Sequence, residues 1–148
     1  MTTTATYHVP DDRAYDGASH LWIRLESETG RAVVGIDAFG LDSLGELAYI
    51  SLQPVGGPVR RGEPIGMLEA AKMTTVLIAP VSGTLVDRNA DVLRDPALVN
   101  RDPYNDGWLV VIKPSDWDHE IGSLITGEAL PGWVAAETER HQSEGWAD

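Results

Sequence analysis

Between Leu21 and Lys113 no single periodicity lasts long: runs of four to six residues rich in Val, Ile, Leu and Tyr alternate with breaks at Gly, Pro, Asn or Asp. Runs that short suit strands, because a helix needs about ten residues or more of unbroken 3.6-residue pattern. The spacing predicts strands from Leu21, at Ala32 to Ile36, Leu47 to Leu52, Ile65 to Glu69, Thr75 to Ile78, Gly83 to Asp87 and Trp108 to Lys113. Pro54-Val55-Gly56-Gly57-Pro58, Arg61-Gly62-Glu63-Pro64 and Pro80-Val81-Ser82-Gly83 supply turns. Such regular reversals point to a mainly β, mostly antiparallel small sandwich or barrel. In the first strand Leu21, Ile23 and Leu25 alternate with Trp22, Arg24 and Glu26, the pattern of one buried and one wet face.

Helices are expected only at the margins. Asp37 offers an N-cap oxygen to a short helix reaching Leu44, with Leu41 and Leu44 on one face. Beyond Pro114 the residues Trp117, Ile121, Leu124 and Ile125 recur at helical spacing, and a last helix is expected from Pro131 towards His141 with Trp133 and Val134 inward. Tyr104 and Trp108 are expected to close the core beside a tight turn at Asn105-Asp106-Gly107. The whole is read as one domain over 1–148, with a β core at about 20–113 and a helical segment at about 114–142.

Charge narrows the partners. Asp plus Glu total 23 against 11 Lys plus Arg, a formal charge of -12, so a nucleic-acid backbone or an anionic membrane would repel most of the surface. Proteins with basic docking faces are the expected partners. Apolar runs such as Leu109-Val110-Val111-Ile112 are strand-sized, and the first residues lack the apolar core of a signal peptide. The absence of cysteine excludes a disulfide framework, thiol catalysis and thiolate metal sites, and makes the cytoplasm the expected compartment.

One segment carries the chemistry. Two strand-like arms flank Glu69-Ala70-Ala71-Lys72-Met73, with Gly62 ten residues before Lys72 and Gly83 eleven after it. If the arms pair, Lys72 falls at the exposed turn. A lone turn lysine is ordinarily just a solvated charge. Here the small neighbours Ala70 and Ala71 leave its amine open to a modifying enzyme.

With these motifs in order, the sequence resembles the glycine cleavage H protein family of lipoyl carriers over roughly Tyr7 to Lys113. His20-Leu21-Trp22-Ile23-Arg24 is similar to the family's His-Glu-Trp strand, and Val34-Gly35-Ile36 followed by Leu44-Gly45-Glu46-Leu47 to its Val-Gly-Ile and Leu-Gly-Asp segments. Gly62-Glu63-Pro64-Ile65-Gly66, Ala79-Pro80-Val81-Ser82-Gly83, Asn89, Pro96-Ala97-Leu98-Val99-Asn100, Asp102-Pro103-Tyr104 and Gly107-Trp108-Leu109 complete the likeness. The resemblance implies a barrel-sandwich hybrid with lipoate covalently attached to Lys72 by a lipoate ligase or lipoyltransferase. Acylation would replace a mobile cation by a neutral amide. It also implies a carrier that is not an enzyme, since the cofactor holds the chemistry and the protein supplies reach and docking.

Departures bear on the cargo. The family's Glu-Ser-Val-Lys-Ala reads here as Glu69-Ala70-Ala71-Lys72-Met73, and Asp11 to Ser19 lengthens the opening, as a docking surface for a different partner would. Two pathways fit. In glycine cleavage the arm would carry an aminomethyl group between glycine decarboxylase and aminomethyltransferase, with a dihydrolipoamide dehydrogenase reoxidising it. In H-like lipoate-binding proteins it carries sulfur intermediates to heterodisulfide-reductase-like complexes of sulfur oxidation. The altered motif favours the second. A biotin carrier, suggested by Lys72-Met73, and an unmodified scaffold are the alternatives.

Glu69, Ala71 and Met73 are grouped with Lys72 as the attachment site. His20 is expected to line a pocket sheltering the arm, with Glu26 or Glu63 nearby, although a core histidine satisfied by a hydrogen bond fits as well. His8, His119 and His141 show no ligand spacing, so no metal site is expected, and no nucleophile or phosphate loop accompanies the carboxylates. The protein is expected to be monomeric.

Overall fold

The computed structural model describes residues 7–147, with side chains described to residue 142. The elements run β1 (Ala14–Asp16), β2 (Leu21–Leu25), β3 (Ala32–Ile36), α1 (Ala38–Leu44), β4 (Leu47–Leu52), β5 (Pro58–Val59), β6 (Pro64–Ala70), β7 (Thr74–Ile78), β8 (Gly83–Arg88), α2 (Ala90–Arg94), α3 (Leu98–Arg101), β9 (Val110–Pro114), α4 (Trp117–Glu120) and α5 (Leu130–Ala147). They form a six-stranded sheet, β1-β2-β3-β9-β8-β5, and a three-stranded sheet, β4-β6-β7, with every pairing antiparallel. The lipoyl-type β-sandwich with short helices and a C-terminal helix is the fold the sequence led us to expect.

Alternation builds the core between the sheets. Ile23, Val34 and Ile112 from the large sheet meet Ile50, Leu68 and Leu77 from the small one, each 2 % exposed or less apart from Leu68 at 3 %. Asp37 caps α1 as expected, its carboxylate accepting from the Gly40 N–H at 2.9 Å.

The outer face of β2 departs from expectation. Trp22 is fully buried, packed across the strand pair onto Gly35, where an added Cβ would lie 2.4 Å from the indole. Tyr104 and the Arg13 guanidinium, its Cζ 4.7 Å from the Trp22 ring centroid, cover it, while the indole Nε1 donates to the Pro103 carbonyl at 3.0 Å. Burying an indole removes about 200 Å² from water, on the order of 5 kcal/mol, which alternation alone did not reveal. Tyr104 is buried and Trp108 half-buried against this second cluster, as are Trp133 and Val134 of α5.

Candidate functional site

The β6–β7 ladder runs from Pro64 opposite Ile78 to Glu69 opposite Thr74. The Ala70 N–H closes the turn on the Met73 carbonyl at 2.9 Å, leaving Ala71, Lys72 and Met73 exposed. This tip is clamped to the rest of the molecule rather than projecting freely. Ala71 N–H donates to the Glu46 carbonyl and Lys72 N–H to that of Leu44, both at 2.9 Å.

Gly45 lies between those two acceptors at φ 80°, a conformation that favours glycine, and a Cβ there would approach Lys72 Cγ to 3.3 Å and Ala71 Cβ to 3.4 Å. Asn100 of α3 holds the same segment from behind. Its Nδ2 donates to the Gly45 carbonyl at 3.0 Å and its Oδ1 accepts from the Leu47 N–H at 2.9 Å. The backbone of the tip is therefore fixed, and the freedom of Lys72 lies in its side chain. Its Nζ rests on the surface, donating to the Asp42 carbonyl in the last turn of α1 at 2.7 Å, where a helix end offers unpaired acceptors.

Beside the tip, a cavity of about 330 Å³ lies between β7 and α1. Met73, Thr75 and Leu77 form one wall, Gly40 and Ser43 of α1 another, and the Ala18–Leu21 turn a third. Among its lining residues there is no Asp, Glu, Lys or Arg. Its size falls within the usual range of small-molecule cavities, about 300–1,000 Å³. An exposed amine one residue from a mostly apolar recess fits a long apolar acyl arm anchored at Lys72.

His20 also lines this cavity. Its φ of 55° makes it the one non-glycine residue in the left-handed region among those described, and its backbone is tied by N–H to Asp16 O and by C=O to Asp37 N–H, both 2.9 Å. The carboxylates beside it differ from those expected. Glu26 is engaged with Thr29 and Glu63 with Arg60, whereas Asp37 Oδ2 stands 3.6 Å from His20 Nδ1 and Glu137 Oε2 3.9 Å from Nε2. The fold, not proximity along the strand, chooses these neighbours. Burial disfavours the charged ring, but Asp37 and Glu137 outweigh it and hold His20 above the ordinary histidine range.

Met73 and His20 thus converge on the recess, and Ala71 anchors the tip. Glu69 points to the outer face of the small sheet, in one row with Tyr49 and Thr74. Asp42, Asn100 and Glu137 were not singled out as site residues from sequence. They act across separations of 30, 53 and 117 residues, for which no local pattern exists.

Residues 13–136 match the sequence profile of the family described as Glycine cleavage H-protein. The chain is 38% identical over 120 residues to the glycine cleavage system H protein of Bacillus subtilis, spanning 81% of this chain and 91% of the relative. Identity to the Gloeobacter violaceus glycine cleavage system H protein is 38% over 110 residues, or 74% and 84% of the two chains. The crystal structure of a glycine cleavage system H protein from Mycobacterium marinum superposes with a TM-score of 0.74 at 34% identity, covering 86% of this chain and 98% of that one. A clamped hairpin displaying a lysine beside an apolar recess, in a chain with these relatives, makes this protein a member of the glycine cleavage H-protein family, whose members are lipoyl carriers rather than catalysts.

Proposed function

We propose that Lys72 is the residue acylated by lipoate and that this chain serves as a cytoplasmic carrier presenting the arm to successive partner enzymes. The observation that carries this reading is the exposed Lys72 side chain on a backbone held by Leu44 and Glu46. A fixed root and a mobile stem let an acylating enzyme engage a defined turn while the arm keeps its reach. When bound, the lipoyl group supplies reversible thiol–disulfide chemistry and a thiol to which cargo attaches. The protein's part is to orient the root, to offer the recess behind Met73 and to exclude water there.

A lipoate ligase or lipoyltransferase would load Lys72. Family membership supports glycine cleavage as the setting, with glycine decarboxylase, aminomethyltransferase and dihydrolipoamide dehydrogenase as partners. A second reading, sulfur cargo delivered to a heterodisulfide-reductase-like complex, is favoured by one observation. The recess has no carboxylate in its lining, so a cationic aminomethyl group entering it would find no countercharge among the lining residues, whereas an uncharged sulfur terminus needs none.

Intact-mass measurement after incubation with a lipoate ligase tests the proposal. One lipoyl increment on the parent chain and none on Lys72→Arg, with unchanged circular dichroism, is the expected result. A biotinyl increment instead, or lipoylation of the arginine variant, would overturn it. Offering the loaded chain to glycine decarboxylase with glycine, and separately to inorganic sulfur donors, separates the two cargoes by the mass of the adduct.

A further inference from the structure

At the edge of the recess marked by His20, three donors from two distant segments meet. One donor atom from each of His20, Glu137 and His141 lies within 4.8 Å of the other two, and Glu137 Oε2 is 3.9 Å from His20 Nε2 and 3.5 Å from His141 Nε2. Zinc bonds of about 2.0–2.1 Å in tetrahedral geometry set ligand atoms about 3.3 Å apart, so modest side-chain closure brings these three onto one ion. Both imidazoles are already oriented. The Nδ1 of His20 faces Asp37 Oδ2 at 3.6 Å and that of His141 faces Asp42 Oδ2 at 3.4 Å, which turns each Nε2 lone pair towards Glu137. Carboxylates behind metal-ligating histidines fix ring and tautomer once such an approach closes to a hydrogen bond.

His141 is only 6 % exposed, yet its Nε2 has no hydrogen-bond partner, and the Asp37 Oδ2 behind His20 is likewise buried and unpartnered. Leaving buried polar atoms unsatisfied costs stability unless something else engages them. A cation already approaches this position. The Arg140 guanidinium donates to Glu137 Oε2 at 2.6 Å and stands 3.3 Å from His20 Nε2. Its side chain is half exposed, so an ion at this position would compete with it for Glu137 Oε2.

We infer that His20, Glu137 and His141 form a binding site for a divalent transition metal of the zinc class, with Arg140 as a built-in competitor. Two imidazoles and one carboxylate leave a fourth position for water, the ligand set that suits zinc and its neighbours over magnesium or calcium. Chain spacing argued against a metal site, because His20 and His141 are brought together only when α5 packs on α1. The ion would tie α5 to the turn that carries His20, with Asp42 of α1 behind His141. Asp42 joins this site to the arm, since its carboxylate faces His141 while its carbonyl accepts from Lys72.

The test uses the full chain carrying Lys72→Arg, so that no dithiol competes for metal and the result is independent of lipoylation. Calorimetric titration with Zn²⁺ in excess Mg²⁺ should give one tight equivalent, and Co²⁺ should produce the visible absorption of a four- or five-coordinate site. His141→Ala and Glu137→Gln should abolish the tight equivalent, and Asp42→Asn should weaken it by about 10- to 100-fold. Arg140→Gln should strengthen it several-fold, an outcome that mere disruption of the fold would not give. Circular dichroism confirms that each variant is folded. Absence of a one-to-one Zn²⁺ equivalent in the parent, or its retention with unchanged affinity in folded His141→Ala, would overturn the assignment.

Discussion

Asn100 is the residue on which the geometry of the tip most depends, because one side chain satisfies both the Gly45 carbonyl and the Leu47 N–H. Asn100→Ala leaves both groups without a protein partner, and an orphaned buried polar group costs about 1–3 kcal/mol. The expected outcome is a loss of that size in urea unfolding together with slower ligase-catalysed loading of Lys72, while Asn100→Asp, which keeps the acceptor and loses the donor, falls between. Parent-like loading by a destabilised Asn100→Ala chain would mean that the clamp serves stability alone. Lys72 was legible in the sequence because its position depends on local symmetry, the midpoint between two arms that pair. Asn100 was not. It lay inside a family-like motif, but nothing near it in the chain says that its amide reaches the Gly45–Leu47 segment.

At the level of elements, the strands longer than three residues were readable because their turns are written in Gly and Pro, whereas the short ones depend on partners. β1 is an example: Asp11 to Ser19 read as a possible docking extension, yet Ala14–Asp16 pairs with β2, and Tyr15 exchanges both backbone hydrogen bonds with Ile125 at 3.0 and 2.8 Å. That bridge also explains why helical spacing after Pro114 failed to become one helix. Ile125 is drawn into extended backbone to complete β1, and α4 stops at Glu120. Glu120 itself ties the turn before β8, accepting from Ser82 N–H and Ser82 Oγ, both at 2.7 Å, while Ser82 Oγ accepts from Arg61 N–H at 2.9 Å. Hydrogen bonds to a charged group contribute about 1.5–3 kcal/mol, so Glu120→Ala should lower stability by about that much. Hydrogen exchange should quicken at Ser82 and Arg61 and stay unchanged at the β6–β7 tip. Equal loss of protection at Lys72 would show that the two ends of the hairpin unfold as one unit.

Across the whole molecule, tyrosines join parts of the chain that composition could not relate. Tyr7 packs tilted against Phe39 with ring centroids 4.7 Å apart and donates to Asp42 at 2.9 Å, Tyr15 donates to the Pro10 carbonyl, and the Tyr104 hydroxyl accepts from the Ala38 N–H at 2.8 Å where α1 begins. Burial raises all three, with Tyr7 pushed up to about 12 by burial and by the neighbouring Asp42 carboxylate, and Tyr15 and Tyr104 pushed further still. A phenol whose folded value exceeds its unfolded value of about 10 stabilises the fold fully below that pH and loses the contribution as pH rises through the folded value. Above the range in which His20 loses its proton, the thermal midpoint should therefore hold steady up to about pH 10 and fall steadily beyond it. Tyr7→Phe removes the phenol that titrates first, so its midpoint should be lower than the parent's near neutrality and decline less between pH 10 and about 12. Phenolate absorbance followed in parallel should show Tyr15 and Tyr104 ionising only as the fold is lost. Their ionisation in a chain that keeps its native circular dichroism would mean that the cluster joining β1, α1 and α5 opens to solvent without unfolding.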